Sequence, residues 1–303
     1  MTRANEITYR IRHTTRYLYG DVVTLAHNEA RLNPRNGPWQ LAHNARFVVD
    51  PEPAFMVREQ DYFGNWLTLF VLQEPHRRFS LTAHSEVTVR EPFLPEPAET
   101  PAWETVRDLL ASSADQETFE AVEHCFESPH VRWTAAIHEY ARESFAPRRP
   151  ILDAALDLSR RIHEDFDYRP GTTNIATPVR VVFDQRRGVC QDFAHLFIAC
   201  MRSMGLASRY VSGYLLTRPA AGQPRLIGAD ASHAWASVFC PGYDFVDIDP
   251  TNNLLVTVEH PTLAWGRDFG DVSPLKGVVL GGGAHSVEVS VTVLPADEEI
   301  ELD

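Results

Sequence analysis

"RRGVCQDFAHLF", residues 186–197, is the stretch on which the fold and the chemistry of this chain depend. Apolar side chains recur at three- and four-residue spacing from Val189 to Met204, which predicts a helix with one buried face. Gly205 provides a natural C-terminal stop. Cys190 falls in the first turn of that helix, where free main-chain N–H groups and the helix dipole favour an anion. The sequence therefore predicts a reactive thiolate at a helix start.

The four cysteines of the chain are predicted to differ in role. Arg186 and Arg187 stand just before Cys190 and would stabilise its thiolate further if they fold back towards the sulfur. The other cysteines have no CxxC spacing and are too sparse for a disulfide scaffold. We interpret them as free, buried thiols that behave as small apolar groups. They are Cys125, Cys200 and Cys240.

A base and an orienting acid follow on two predicted strands. Alternation in "SHAWASVFC", residues 232–240, sets the face on which His233 lies. "PGYDFVDIDP", residues 241–250, then offers a turn and a strand with Asp247 and Asp249 on one face. If the turn closes a hairpin, His233 becomes a close cross-strand neighbour of Asp249. A thiol nucleophile requires such an imidazole held by a carboxylate, and Asp247 remains the rival for the acid.

The first part of the chain is predicted to be β structure. Residues 5–90 contain several short β-rich runs, among them "ITYRIRHTTRYLY" and "FSLTAHSEVTV". Turn signals separate the runs at residues 33–38, 50–53 and 61–65. This spacing predicts an antiparallel β-sandwich-like module over residues 1–92.

The pattern changes after residue 92. Residues 93–104 are proline-rich and predict a stiff linker. Helical spacing runs from about 103 to 165, and strand-like stretches follow the Cys190 helix, so residues 105–284 are predicted to form an α+β core. "HSVEVSVTVLP" alternates strictly, and residues 285–303 are predicted to be a C-terminal strand and tail. The sequence does not say which domain receives that strand.

Composition and charge narrow the classes of partner. The chain has 303 residues and a formal net charge of -13, which argues against nucleic acid or an anionic membrane as partner. Its start has no apolar run long enough for a signal peptide, so we expect a cytoplasmic protein. There is no HExxH, paired CxxC or EF-hand loop, and we expect neither a metal nor a cofactor.

The motifs resemble a known family. "RRGVCQDFAHLFIACMRSMGLASRYVSGYL", "DASHAWASVFCPGYDFVDIDPTNN" and "GRDFGDVSPLKG" are similar to the bacterial transglutaminase-like superfamily, whose members are often described as cysteine proteases. The β module, with "ARLNPR" and "DYFGN", resembles the N-terminal region that accompanies this core in many bacterial members. The resemblance implies a papain-like core in which helices pack on an antiparallel sheet.

The resemblance also implies roles for individual residues. Cys190 would be the nucleophile, His233 the base and Asp249 the orienting acid, favoured over its rival by the Asp-Pro-Thr that follows the family acid. The main-chain N–H of Cys190 would hold part of the oxyanion. Further candidates near substrate are Trp235, which shares the strand face of His233, Tyr168 and Tyr214, which resemble family positions near the cleft, and Gln191, next to the nucleophile.

Three functions follow from these expectations. The first is a cysteine peptidase or amidase that acts on a peptide or protein amide through a thioester. The second is a protein-glutamine transglutaminase, in which an amine rather than water resolves the same thioester. The third is a non-catalytic papain-like binding module, and an oligomeric scaffold whose core acts only in a complex is also open. The β module is expected to pack against the core and shape one side of the cleft.

Overall fold

The computed structural model describes residues 6–112, 116–216 and 230–298. The strands are β1 (Glu6–Ala30), β2 (Gln40–Asp50), β3 (Phe55–Gln60), β4 (Trp66–Leu72), β5 (His76–Arg90), β6 (Asp167–Tyr168), β7 (Arg187–Gly188), β8 (Ser208–Tyr214), β9 (Ser232–Phe239), β10 (Phe245–Asp249), β11 (Leu254–Leu255), β12 (Thr262–Gly266), β13 (Leu275–Gly281) and β14 (His285–Pro295). The α-helices are α1 (Trp103–Ser112), α2 (Gln116–Val122), α3 (Ala135–Arg142), α4 (Ile151–Asp165), α5 (Val179–Gln185), α6 (Cys190–Ser203) and α7 (Phe269–Val272). The predicted α+β fold, with strands first and helices afterwards, is confirmed. Across the described residues, no helix combines the length and the apolar character needed to span a membrane.

The N-terminal strands form one curled antiparallel sheet around β1. Its order is β2-β5-β1-β4-β3, and β13 and β14 also pair with β1. One half of β1 runs between β5 and β14, and the other half between β4 and β13. The register of β1 with β5 shifts between Leu18 and Val23, where the first half of β1 ends and the second half begins. Gly281 sits at the matching break on the opposite edge, with a φ of 95° and a Cβ position only 2.2 Å from the Val22 carbonyl oxygen, so a side chain is excluded there.

The last strand of the chain joins this N-terminal sheet. Residues 285–295 pair with residues 19–9 of β1 over their whole length. The preceding strand, β13, extends the same edge by pairing with residues 23–30. The strand predicted from the strict alternation is therefore present, and its partner is the first strand of the chain.

The core is built on a second antiparallel sheet, of order β11-β10-β9-β8-β12. Helix α6 packs against β9, and its buried side chains Phe193 and Phe197 lie in the same apolar cluster as Ala234 and Ala236 of the strand. The prediction of one buried face is too narrow, because every residue from Asp192 to Arg202 is buried and α6 is covered on all sides. The packing also places the first turn of α6 beside the start of β9.

Two side-chain amides of the N-terminal half cover the free edge of the core sheet. The Gln40 amide accepts from the Thr262 main-chain N–H at 2.7 Å and donates to its carbonyl at 2.8 Å. Asn65 does the same with Trp265, at 2.9 and 2.8 Å. Both partners lie on β12, the edge strand, whose unpaired main-chain groups are satisfied as a neighbouring strand would satisfy them. The N-terminal sheet is thus joined to the core by hydrogen bonds as well as by apolar packing.

Candidate active site

Helix α6 begins at Cys190, as the sequence predicts, and a carboxylate fixes that beginning. Oδ2 of the buried Asp192 accepts a hydrogen bond from the Val189 main-chain N–H at 2.8 Å and another from the Thr173 hydroxyl at 2.6 Å. Asp192 therefore closes the first turn from inside the helix, in the manner of a capping box. A Cβ on Gly188 would lie 2.7 Å from the Asp192 Cβ. The glycine before the cysteine makes room for this cap.

The predicted base and acid meet across the sheet. Nε2 of His233 lies 2.7 Å from Oδ2 of Asp249, and the imidazole also forms a hydrogen bond with the Cys190 side chain. Burial alone would lower the pKa of His233, but the hydrogen bonds and charges of Asp249 and Cys190 outweigh it and raise the pKa to about 10. The three side chains thus form one chain of contacts in the order thiol, imidazole, carboxylate, and the imidazole is held in its charged form at neutral pH.

Asp249 is fully buried and fully occupied as an acceptor. Oδ1 accepts from the main-chain N–H groups of Thr251, at 2.9 Å, and Asn252, at 3.2 Å, and the Asn252 side-chain amide donates to Oδ2 at 2.6 Å. Burial raises the pKa of Asp249, but the neighbouring His233, His260 and Asn252 outweigh it and hold the pKa well below its usual range. The carboxylate is therefore charged and fixed in direction, as an orienting acid requires.

Asp247, the rival for the acid, has other partners. Its Oδ2 accepts from Nε1 of Trp235 at 3.1 Å, and its Oδ1 accepts a hydrogen bond from the Ser237 hydroxyl. Trp235 has no exposed surface, and its ring centroid lies 6.1 Å from that of His233. Trp235 therefore has no surface for the expected contact with substrate. Its indole is buried beside the His233 imidazole instead.

The other predicted substrate residues separate into two groups. Tyr168 is 53% exposed. Partial burial raises the pKa of its hydroxyl, and the nearby Cys190 raises it further. Gln191 is partly exposed in the first turn of α6. Tyr214 is fully buried, with its hydroxyl 3.0 Å from Nδ1 of His13 on the N-terminal sheet, and so has no surface for substrate.

Neither arginine before the nucleophile is used as expected. The Arg186 guanidinium lies over the rings of Phe183, at 4.5 Å, and Phe166, at 4.6 Å, and Nε of Arg187 donates to Gln185 at 3.2 Å. Arg186 also has a left-handed main chain at the end of α5, which directs it into this aromatic cluster. Of the groups expected to act on Cys190, the helix start and His233 remain.

The remaining cysteines are free, as the sequence predicts. Cys200 and Cys240 are fully buried, and burial raises the pKa of each thiol to about 12. Burial likewise raises the pKa of Cys125 to about 11. These three thiols are protonated at neutral pH, so Cys190 is the cysteine that the fold places with a base.

One group of side chains has the composition of a cation site. Ligand atoms of His233, Asp249 and His260 lie within 4.8 Å of one another. Nε2 of His233 and Oδ2 of Asp249 are already joined by a hydrogen bond, and Nε2 of His260 is 3.5 Å from the same oxygen. A cation here would have to replace the bond that orients the imidazole. The expectation of a site without metal stays a prediction.

Comparison with known proteins shows the family of this chain. The model of the bacterial transglutaminase-like N-terminal region matches residues 9–88, and that of the transglutaminase-like superfamily matches residues 138–250. An uncharacterised protein of Mycobacterium tuberculosis is 42% identical over 95% of this chain and 92% of its own length, and one of Mycobacterium leprae is 33% identical over 94% and 97%. The chain belongs to the transglutaminase-like superfamily.

Two further proteins are similar to this chain. A crystal structure from Cytophaga hutchinsonii, named a "Putative Cysteine Protease", superposes with a TM-score of 0.76 at 18% identity, over 98% of this chain and 93% of that one, which shows the common fold. A protein-glutamine gamma-glutamyltransferase of Pseudomonas aeruginosa is 31% identical over 120 residues, 38% of this chain and 18% of that protein.

Proposed function

We propose that this protein is a thiol-dependent acyl-transfer enzyme that acts on amide bonds of a peptide or protein, and that its first activity is that of a cysteine peptidase or amidase. The observation that supports this proposal is the contact chain from Cys190 through His233 to Asp249, with a 2.7 Å hydrogen bond in its second link. A nucleophile, a base and an orienter in hydrogen-bonding contact are the elements that covalent acyl transfer needs.

Each of the three side chains has one task in the proposed reaction. The Cys190 thiolate attacks the amide carbonyl carbon, and the oxygen that gains the charge is held in part by the Cys190 main-chain N–H in the unpaired first turn of α6. The His233 imidazolium gives its proton to the leaving nitrogen as the C–N bond breaks, which leaves a thioester. Asp249 holds the imidazole ring in a fixed orientation and stabilises its charged form. Water then gives a proton to His233 and attacks the thioester, which releases the acid and the thiolate.

A transglutaminase is the second candidate, because the reaction is the same until the thioester forms. The name of the Pseudomonas aeruginosa relative, a gamma-glutamyltransferase, favours it. In that case a primary amine rather than water would give its proton to His233 and resolve the thioester. The alternative of a binding module without catalysis has less support, since Cys190, His233 and Asp249 are all present and in contact.

The test is incubation of a mixed peptide library with the protein and an excess of a labelled primary amine, read by mass spectrometry. New peptide ends indicate a peptidase, free acids at former side-chain amides indicate an amidase, and amine adducts at glutamine indicate transfer. Cys190→Ser is the control and should abolish every product, whereas Cys240→Ser, at a buried thiol, should keep them. Products that persist in Cys190→Ser would overturn the proposal.

A further inference from the structure

A cavity of about 570 Å³ lies between the N-terminal sheet and the core. This volume is in the range of small-molecule sites. Aromatic side chains from both parts of the chain stand in its walls. The aromatic residues are Trp39 and Phe93 before the helices, and Tyr243, Phe245 and Trp265 in the core.

The cavity is separate from the nucleophile but adjoins the orienting acid. His260 lines it, and Nε2 of His260 is 3.5 Å from Oδ2 of Asp249. Cys190 and His233 are not among the described residues that line it. The cavity therefore adjoins the proposed site through His260 without including the nucleophile.

Arg209, which lines the cavity, is a buried cation. Only 8% of this residue is exposed, and its Nε has no hydrogen-bond partner among the described residues. The guanidinium stacks on Trp265 at 3.8 Å and on Phe245 at 4.1 Å. Burial lowers the pKa of Arg209 and outweighs the opposing charges of Asp247 and Asp244, so the buried charge is only partly compensated.

A second guanidinium lies against the same indole. The Arg35 guanidinium is 3.0 Å from the Trp265 ring centroid, and its Nε is likewise buried without a partner in the described part of the chain. Burial, and next the charge of Arg209, lower the pKa of Arg35 to about 9. Burial and Arg209 outweigh the opposing charges of Asp61, Asp247 and Asp244, and this net effect on two neighbouring cations favours the entry of an anion.

The acidic side chains that line the cavity attract both guanidinium groups, but they form no ion pair with them in the described part of the chain. Asp247 is occupied by Trp235 and Ser237. Within residues 6–112, 116–216 and 230–298, neither Asp247 nor Asp244 forms an ion pair with a guanidinium of the cavity. The other cation on the wall, Arg90, pairs with Glu6 outside it.

We propose that this cavity binds a small organic anion, a carboxylate or a phosphate carried on a flat apolar body. Arg209 and Arg35 would receive the anionic head, since a guanidinium matches the oxygens of either group. The aromatic walls would receive the body. Because Trp39 and Trp265 lie on opposite sides of the junction, such a ligand would also hold the N-terminal sheet against the core.

Calorimetric titration tests this proposal, with 2-naphthoate and 2-naphthyl phosphate as probes and the neutral 2-naphthamide as control. We expect at least one anion to bind with a Kd below about 1 mM, and the amide to bind about tenfold more weakly or not at all. The better of the two anions identifies the head group. No binding of either anion at 10 mM of probe, or equal binding of the amide, would overturn the proposal.

Variants locate the binding. Arg209→Gln should weaken the binding of the anion by about tenfold or more. Arg132→Gln, which changes an exposed arginine outside the cavity, should leave the binding unchanged. Because Arg209 is buried, its variant is used only if its thermal unfolding is cooperative. Trp39→Ala, at a residue 41% exposed, tests the same site without a core change and should also weaken binding. The assignment is contradicted if Trp39→Ala binds the anion as tightly as the wild type does and Arg209→Gln either binds it equally well or does not fold. The result is independent of catalysis and should be the same in Cys190→Ser.

Discussion

The Asp192 carboxylate lies 2.8 Å from the main-chain nitrogen of Val189, and this contact fixes the position of Cys190 between them. Asp192→Ala removes the cap from the first turn of α6. We expect a loss of about 0.5–2 kcal/mol in the free energy of unfolding and slower alkylation of Cys190 at neutral pH, because the thiol is no longer held in line with His233. Denaturant unfolding and iodoacetamide kinetics measure the two effects.

The matched control for that variant is Asp153→Ala. Asp153 occupies the third position of α4, as Asp192 does in α6, but the residue before that helix is Pro150, which has no main-chain N–H for the carboxylate to accept from. Its replacement should leave the alkylation rate of Cys190 unchanged. If both variants slow the reaction equally, Asp192 has no special part in presenting the nucleophile.

The charge of Asp249 should control the titration of His233. The pKa of His233 is raised from its ordinary 6.5 to about 10. The stabilisation that the imidazolium contributes to the fold is therefore complete below about pH 6.5 and is lost as the pH rises through about 10. Asp249→Asn keeps a hydrogen-bonding side chain but removes the charge, so the pKa of His233 and the alkaline limb of any activity should move towards neutral pH. Proton NMR of the ring follows this directly.

Asp247→Asn serves as the comparison for the acid. Asp247 lies on the neighbouring position of the same strand face, but it is bonded to Trp235 and Ser237. Its replacement should move the His233 titration less than Asp249→Asn does. A larger shift in Asp247→Asn would mean that the acid has been assigned to the wrong residue.

The side-chain amides of Gln40 and Asn65, which bond to the main chain of β12, should stabilise the junction of the N-terminal sheet and the core. Gln40→Ala or Asn65→Ala leaves a main-chain N–H and C=O of the edge strand without partners. Each change should cost about 1–3 kcal/mol in the free energy of unfolding, measured by urea titration. Gln60→Ala, whose exposed amide makes one long contact of 3.4 Å with Gly64, should cost little. Equal small losses in all three would show that the amides do not hold the junction.

Tyr168 is the more exposed of the two predicted substrate residues, with Gln191, that keep exposed surface in the structure. Tyr168→Ala should lower kcat/KM for whichever amide the library identifies, with the alkylation rate of Cys190 nearly unchanged, because the side chain lies beside the cysteine without being part of its contact chain. Tyr62→Ala, at a residue 82% exposed on the N-terminal sheet, is the control. A loss of alkylation in Tyr168→Ala would instead indicate that the tyrosine supports the helix start.

Local sequence was enough to find the groups of the proposed reaction. The period of α6 predicts Cys190 in its first turn, and alternation along β9 and β10 predicts His233 and Asp249 on one face of the sheet, where the structure joins them diagonally across the two strands. These are short-range patterns that depend on side-chain direction within one helix or one hairpin. The same argument predicted the strand over residues 285–295, because strict alternation is a property of the segment alone.

What the sequence did not show depends on contacts between distant segments. The pairing of β14 with β1, the amides of Gln40 and Asn65 on β12, and the burial of Tyr214 against His13 join residues about 200 or more positions apart. Arg186 turned away from the thiol for a similar reason, since the aromatic cluster that receives it is assembled by the fold. The Asp192 cap could have been predicted from sequence. An acidic residue at the third position of a helix, with a glycine two residues before that helix begins, is the signal that identifies it.

Alkylation of each cysteine by iodoacetamide against pH, read by peptide mass spectrometry in the wild type and in His233→Ala, tests the central claim most directly. The account predicts that Cys190 alone reacts readily near pH 6, that this reactivity disappears in His233→Ala, and that Cys125, Cys200 and Cys240 stay unreactive in both folded proteins. If Cys190 reacts as slowly as Cys200, or reacts equally with and without His233, the thiolate–imidazolium pair does not exist and the proposed acyl transfer loses its chemical basis.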